Sequence, residues 1–145
     1  MAGPANWPMR SSSRRWGELV KLAYSALLVP DYDAGIAFYC GAMAFDLIVD
    51  SDMGGGKRWV VIGGGGGGSL LLAMATKPTE IDAVGDQFGG RVGLFAHTDN
   101  FGAAHKRIAE GGGTFEEEPR YEAYGTVAVF RDPFGNRWDL IEPAT

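Results

Sequence analysis

One pattern occurs twice in this chain. An apolar run ends at an aspartate, a stripe of apolar residues at helical spacing follows, and short β-type runs come after it. The first copy opens with residues 22–29 (LAYSALLV), stopped by Pro30 and Asp31, and the second opens with residues 91–97 (RVGLFAH), followed by Thr98 and Asp99. Tyr24 and Val92 stand 68 residues apart, as do Asp31 and Asp99, and Phe45 and Phe115 stand 70 apart. A repeat of this length pairs two modules rather than building a solenoid.

Each module reads as strand–helix–strand–strand–strand. In the first, Ile36, Tyr39, Cys40 and Met43 fall at i, i+3, i+4 and i+7, and Asp31 or Asp33 supplies the N-cap. Residues 45–49 alternate as a strand, and 50–57 form a turn carrying three glycines. Residues 58–62 (RWVVI) are β-branched and aromatic, and 70–74 make a fourth strand. Residues 63–68 are six consecutive glycines and must form a loop, because glycine loses the most entropy on ordering. In the second module Asp99 is the expected cap of a helix with the stripe Phe101, Ala104, His105 and Ile108, ended by glycines 111–113. Strands follow at 114–118, 125–131 and 137–142. Between the last two, DPFGN at 132–136 is a turn: Asp132 can bond its own backbone, Pro133 presets φ and Gly135 tolerates positive φ. The expected fold class is α+β. Two βαβββ modules (21–75 and 90–143, linker 76–89 with a helical turn at 79–84) form a curved, cup-shaped mixed sheet with helices on the outer face. The concave side is a ready pocket for a small molecule.

Composition removes several classes. The 145 residues suit one domain. No apolar run approaches the ~18 residues of a membrane-spanning helix. The single cysteine, Cys40, excludes an intrachain disulfide framework and a zinc ribbon. A net charge of −5 argues against non-specific nucleic-acid binding. That charge is uneven. Arg10, Arg14, Arg15 and Lys21 against Glu18 leave residues 1–21 at +3, so the total of −5 leaves −8 for the rest. Residues 1–20 read as a basic tail, with two other readings open: a start at Met9, or a segment that packs across a dimer partner through Trp7 and Trp16. No apolar core of a secretory signal follows the positive stretch, so the expected compartment is the cytoplasm.

The opening VPDYDAGIAFYCGAMAFDL and the close DPFGNRWDLIEP, in this element order, resemble the vicinal oxygen chelate superfamily. It includes glyoxalase I, bleomycin-resistance proteins, fosfomycin-resistance enzymes and extradiol dioxygenases. The resemblance covers about residues 21–143 and implies the paired-module fold. It also implies a homodimer, since members commonly dimerise. It does not select a reaction, because one scaffold carries isomerisation, ring cleavage, epoxide opening and sequestration. Metal-dependent members hold a divalent ion with His, Gln or Glu from the first and last strands of each module. The matching positions here are Tyr24, the apolar stretch 70–73, Val92 and Asp139. A metal site wants three or four convergent ligands, and of these only Asp139 is an ordinary one. The expectation is therefore a cup without a tightly held metal. A divalent ion remains a possible cofactor, with Asp139 and His97 as weak candidate ligands.

Strand alternation assigns Val92, Leu94 and Ala96 to the cup and turns His97 toward the helix, as a structural histidine near the Asp99 cap. His105 sits on or beside the helix stripe. The expected ligand-binding set is Tyr24, Arg137 and Asp139 within the cup, with Arg58, Gln87 and Tyr124 around it. Lys57 and Arg91 are further cations at loop or strand edges. Asp139 is the one candidate catalytic group, acting as a base if desolvation raises its pKa. Its plain alternative is an intra-sheet ion pair with Arg137. The glycine run lacks the Lys-Ser/Thr ending of a phosphate loop. Residues 116–118 are glutamates on a solvated face with one member turned inward. The leading functional reading is bleomycin-resistance-like binding of a small organic molecule. The alternative is a metal-dependent glyoxalase-like lyase or extradiol-dioxygenase-like enzyme, using Asp139 and a repositioned histidine. A third is a dimerisation module that uses the basic tail.

Overall fold

The computed structural model describes residue 17 and residues 19–145. The readings placed on residues 1–16, including Trp7, Met9 and Trp16, lie outside the described residues.

The first module runs β1 (Ser25–Val29), α1 (Tyr32–Ile36, continuing as a π-helical turn over Ala37–Ala42), β2 (Asp46–Gly54), β3 (Lys57–Gly63) and β4 (Ser69–Met74). A short linker helix, α2 (Pro78–Ala83), precedes the second module. That module comprises β5 (Leu94–His97), α3 (Phe101–Glu110), β6 (Thr114–Phe115), β7 (Arg120–Glu122), β8 (Gly125–Arg131) and β9 (Arg137–Pro143). The strands form two open mixed sheets, ordered β1-β4-β3-β2 and β5-β9-β8-β6, with β7 also on β8. In each sheet the first strand pairs parallel with the last, and the remaining pairs are antiparallel. This is the expected paired arrangement of two modules, except that four strands follow α3, because β6 and β7 are separate strands that both pair with β8.

Local chemistry starts the helices. The Asp31 carboxylate accepts from Ala34 N at 2.9 Å, capping α1. Gly35 then lets α1 settle on its sheet, since a Cβ there would lie 2.9 Å from Leu72 Cδ1. The register Leu27↔Leu72 and Val60↔Leu72 points Leu27, Val29, Val60, Ile62 and Leu72 at the helix, and all five are buried. In the second sheet Ala96↔Leu140 and Phe130↔Trp138 do the same.

The two helix-bearing faces share one core. Its centre is polar. Asp132, 4 % exposed, accepts five hydrogen bonds. Oδ1 takes the main-chain N–H groups of Phe134 and Asn136, both at 3.0 Å. Oδ2 takes Asn136 Nδ2 at 3.0 Å, Trp138 Nε1 at 3.0 Å and the Tyr39 hydroxyl. The turn residue thus also joins the first module's helix to the second module's sheet. The Tyr39 ring packs at a tilt against Trp138 and Phe134, with ring centres 5.8 Å and 6.0 Å away. Burial, then the charge of Asp132, pushes the Tyr39 hydroxyl far above its ordinary pKa, so it stays a donor.

The linker is pinned from both sides. Gln87 donates to Ala26 O at 2.8 Å and accepts from Leu28 N at 2.9 Å, covering the edge of β1 that β4 leaves free. Gly85, at φ +76°, lies so close to Phe134 O that a Cβ there would sit at 2.0 Å.

Four local readings need correction. The strand expected at 45–49 continues to Gly54, because Asp50 and Asp52 face Val60 and Arg58 across the pair. Arg58 grips Asp50 with Nε at 3.1 Å and Nη2 at 2.8 Å. The cap of α3 is Asn100, whose side chain accepts from Ala103 N at 3.1 Å, and not Asp99 one residue earlier. The strand expected at 114–118 stops at Phe115, where the Glu117 carboxylate takes Val129 N at 2.8 Å in place of a main-chain partner. The faces of β5 are the reverse of those expected. Ala96 enters the core opposite Leu140, so Leu94 turns inward while Phe95 and His97 turn away from the helix.

Asp132→Ala leaves buried N–H and O–H donors without an acceptor and should lower unfolding stability by about 3 kcal/mol or more. Tyr39→Phe removes one donor of the five and should cost about 1–2 kcal/mol. Urea unfolding followed by circular dichroism checks both.

Candidate functional site

The register of β5, β9 and β8 builds one composite surface on the face away from α3. Phe95 lies beside Asp139, which lies beside Val129. In the next row His97 lies beside Ile141, which lies beside Val127. Aliphatic and aromatic groups therefore surround one carboxylate. Phe95 is 59 % exposed, an unusual state for a phenylalanine.

Asp139 itself is half-buried. Its Oδ1 is shielded from solvent and has no hydrogen-bond partner. Burial holds its pKa above the usual aspartate range. Arg120 acts against that, the Glu117 charge adds to it, and Arg137 again opposes. Arg120 is committed to Glu117 at 2.7 Å and Glu122 at 3.0 Å. Arg137 gives Nε to Glu116 at 2.8 Å and Nη1 to Gly90 O at 3.1 Å. The cations near Asp139 thus serve other acceptors.

The remaining sequence-derived candidates lie in three kinds of place. Tyr24 belongs to the first sheet, half-buried and edge-on to Trp59 at 6.3 Å, on the face away from α1 with Ala26, Leu28 and Val61. Arg58, on the helix side of β3, is held by Asp50 and Asp33 and lies 5.3 Å over the Tyr32 ring. Gln87 serves the edge of β1. Tyr124 is exposed in the β7–β8 turn. Lys57 is exposed, and Arg91 Nε donates to Val92 O at 3.3 Å. His105 stacks on Phe115 at 3.7 Å and is structural. His97 and Asp139 share a face, offset by one row. Tyr24 and Asp139 stand on different sheets. Phe95, Val129 and Trp59 did not stand out in the sequence. Alternation along 125–131 would have marked Val129, whereas Phe95 was hidden by the reversed face of β5.

These donors do not suit a divalent ion. Among the described residues no group of three His, Cys, Asp or Glu side chains is placed to hold a metal. The positions the resemblance assigns to ligands carry a phenol packed on an indole, aliphatic side chains and one carboxylate.

Paired βαβββ modules with a helix on each sheet, and a half-buried carboxylate on the last strand, define the class. The family model for the Glyoxalase/Bleomycin resistance protein/Dioxygenase superfamily matches residues 21–140, and the chain belongs to that superfamily. An uncharacterized protein of Shewanella frigidimarina (strain NCIMB 400) is 47 % identical over 124 residues, 83 % of this chain and 92 % of that one. Among solved structures, UcmS2 is similar at 28 % identity with a TM-score of 0.69, covering 86 % of this chain and 98 % of its own. TnmS3, an antibiotic binding protein from Streptomyces sp. CB03234, is similar at 28 % identity with a TM-score of 0.60, covering 87 % and 99 %.

The raised pKa of Asp139 has a signed consequence. Between the unfolded and folded values the folded chain holds more protons, so stability falls as pH rises through that window. Asp139→Asn removes this loss. The variant should be more stable than the parent at neutral pH, with the gain vanishing below about pH 3, under the unfolded aspartate value. Urea unfolding at the two pH values measures it.

Proposed function

We propose that this protein binds and sequesters a small, largely apolar organic molecule on the sheet face around Asp139, without a tightly held metal. The observation that carries the reading is the unpartnered Asp139 oxygen among Phe95, Val129 and Ile141. The carboxylate as a whole is half-buried and not sealed, so a ligand N–H, O–H or ammonium that meets it supplies the hydrogen bonding the protein leaves unmade, worth about 1–3 kcal/mol. The surrounding apolar groups take the rest of the guest, and one anchored polar contact on an apolar floor is the usual form of a small-ligand site. Similarity to a structure described as an antibiotic binding protein supports the same reading. Tyr24 on Trp59 offers a second aromatic platform on the first sheet. With one such platform per sheet, a homodimer that brings the two kinds of face together belongs to this reading. A cytoplasmic location, where Cys40 stays a thiol, belongs to it too.

Titration calorimetry and native mass spectrometry test it, using bleomycin and a panel of aromatic antibiotics that carry an amine or phenol. At least one compound should bind stoichiometrically, and Asp139→Ala should weaken it about tenfold, the value of one lost charged hydrogen bond. Zn²⁺, Ni²⁺, Mn²⁺ and Fe²⁺ should show no stoichiometric sub-micromolar binding. Tight metal uptake with turnover of a methylglyoxal–glutathione adduct or a catechol contradicts the proposal. So does failure of the whole panel to bind.

A further inference from the structure

The second module carries a hollow of about 480 Å³ on the α3 side of its sheet. Three stretches of sequence meet there. Phe101 and His105 stand one turn apart on α3 and share a face, with ring centres 5.9 Å apart. His105 is held by Phe115, on which it stacks at 3.7 Å. Tyr121 and Thr126 are partners across the β7–β8 hairpin. Thr126 adjoins Val127 of the Asp139 face, so strand alternation turns it to the α3 side. Glu118 and Pro119 complete the wall from the segment that joins β6 to β7.

The glutamate run at 116–118 divides by role. Glu116 holds Arg131 at 3.0 Å and Arg137 at 2.8 Å. Glu117 holds Arg120 at 2.7 Å and takes Val129 N at 2.8 Å. Glu118 has no hydrogen bond or ion pair among the described residues, and it is the one carboxylate on the wall of the hollow. No lysine or arginine lines the hollow. Its rings are those of Phe101, His105 and Tyr121, the last 83 % exposed. A phenyl or phenol ring offers a negative face to a cation, and a carboxylate beside it adds a full charge. An anion finds less. The N–H groups at the start of α3 are already taken, Phe101 N by Glu142 Oε1 at 2.8 Å and Ala103 N by Asn100 Oδ1 at 3.1 Å. The net charge of −5 also repels an anion.

We propose that this hollow is a second binding site, for a small organic ammonium ion with an apolar or aromatic body. The body lies among Phe101, His105, Pro119 and Tyr121, and the positive nitrogen faces Glu118. The site lies across the sheet from Asp139 and uses none of its neighbours, so it is independent of binding there.

Amide signals of the isotopically labelled full chain, followed by NMR during titration with benzyltrimethylammonium, test it. Benzyl alcohol is the neutral control with the same ring. The cation should shift the signals of Gly102, His105, Glu118 and Tyr121 saturably, and the alcohol should bind there at least about tenfold more weakly. Glu118→Gln and Tyr121→Ala should each weaken the cation about threefold or more. Both side chains are exposed, so each variant should keep the rest of the parent spectrum, which shows the fold intact. Signals of Phe95 and Val129 report the Asp139 face separately, and Glu118→Gln should leave their response as in the parent. Absence of saturable shifts at the hollow overturns the proposal. So does equal binding of the alcohol, or an affinity that Glu118→Gln leaves unchanged.

Discussion

The carboxylate of Asp132 organises the second module and fastens the first one to it. A charge at that depth is tolerated only when its oxygens are saturated, and here five donors converge on them with no cation involved. Two of the donors close the turn itself. Two more, from Asn136 and Trp138, fix where β9 begins. The fifth, from Tyr39, arrives from the other module. Once Trp138 is drawn into the core, the two-residue period of the strand sends Leu140 inward and Arg137, Asp139 and Ile141 outward. The composition of the outer face follows from how the inner one is anchored.

Two aspartates seven positions apart on one hairpin therefore live in opposite conditions. Asp132 has every lone-pair direction occupied and no route to a ligand. Asp139 is half-buried, with one shielded oxygen that has no hydrogen-bond partner in the protein, and burial raises its pKa. The nearby arginines would ordinarily satisfy it, but Arg120 and Arg137 are spent on Glu117, Glu122, Glu116 and Gly90. Of the two buried side-chain oxygens without a partner among the described residues, Asn136 Oδ1 lies within the Asp132 cluster and Asp139 Oδ1 lies on the outer face of β9, and the second is the one the proposed binding uses.

Much of the fold was readable in advance because its signals are local. Asp31 before an apolar stripe, RWVVI, GTVAVFR and the DPFGN turn each carry their own physical reason, and the repeat of their order supplied the topology. The errors arose where a distant partner decided. Asp50 and Asp52 look like turn formers until Arg58 is placed across from them. Glu117 ends a strand only because Val129 is within its reach. The face of β5 was misread because four residues with apolar groups on both sides give no alternation, and the core position of Ala96 depends on Leu140. The candidate site suffered most from this. Asp139 was recognisable from the end motif, whereas its neighbours Phe95 and His97 were assigned to the wrong face. Arg58, Gln87 and Arg137 looked available for a ligand until their structural partners came into view.

Side-chain carboxyl resonances of isotopically labelled aspartates would probe the contrast between these two residues directly during titration with an organic ligand retained by the protein. The Asp139 signal should move in proportion to occupancy while that of Asp132 stays in place. An Asp139 signal that ignores the bound organic molecule, or that shifts only when a divalent cation is added, would contradict the account.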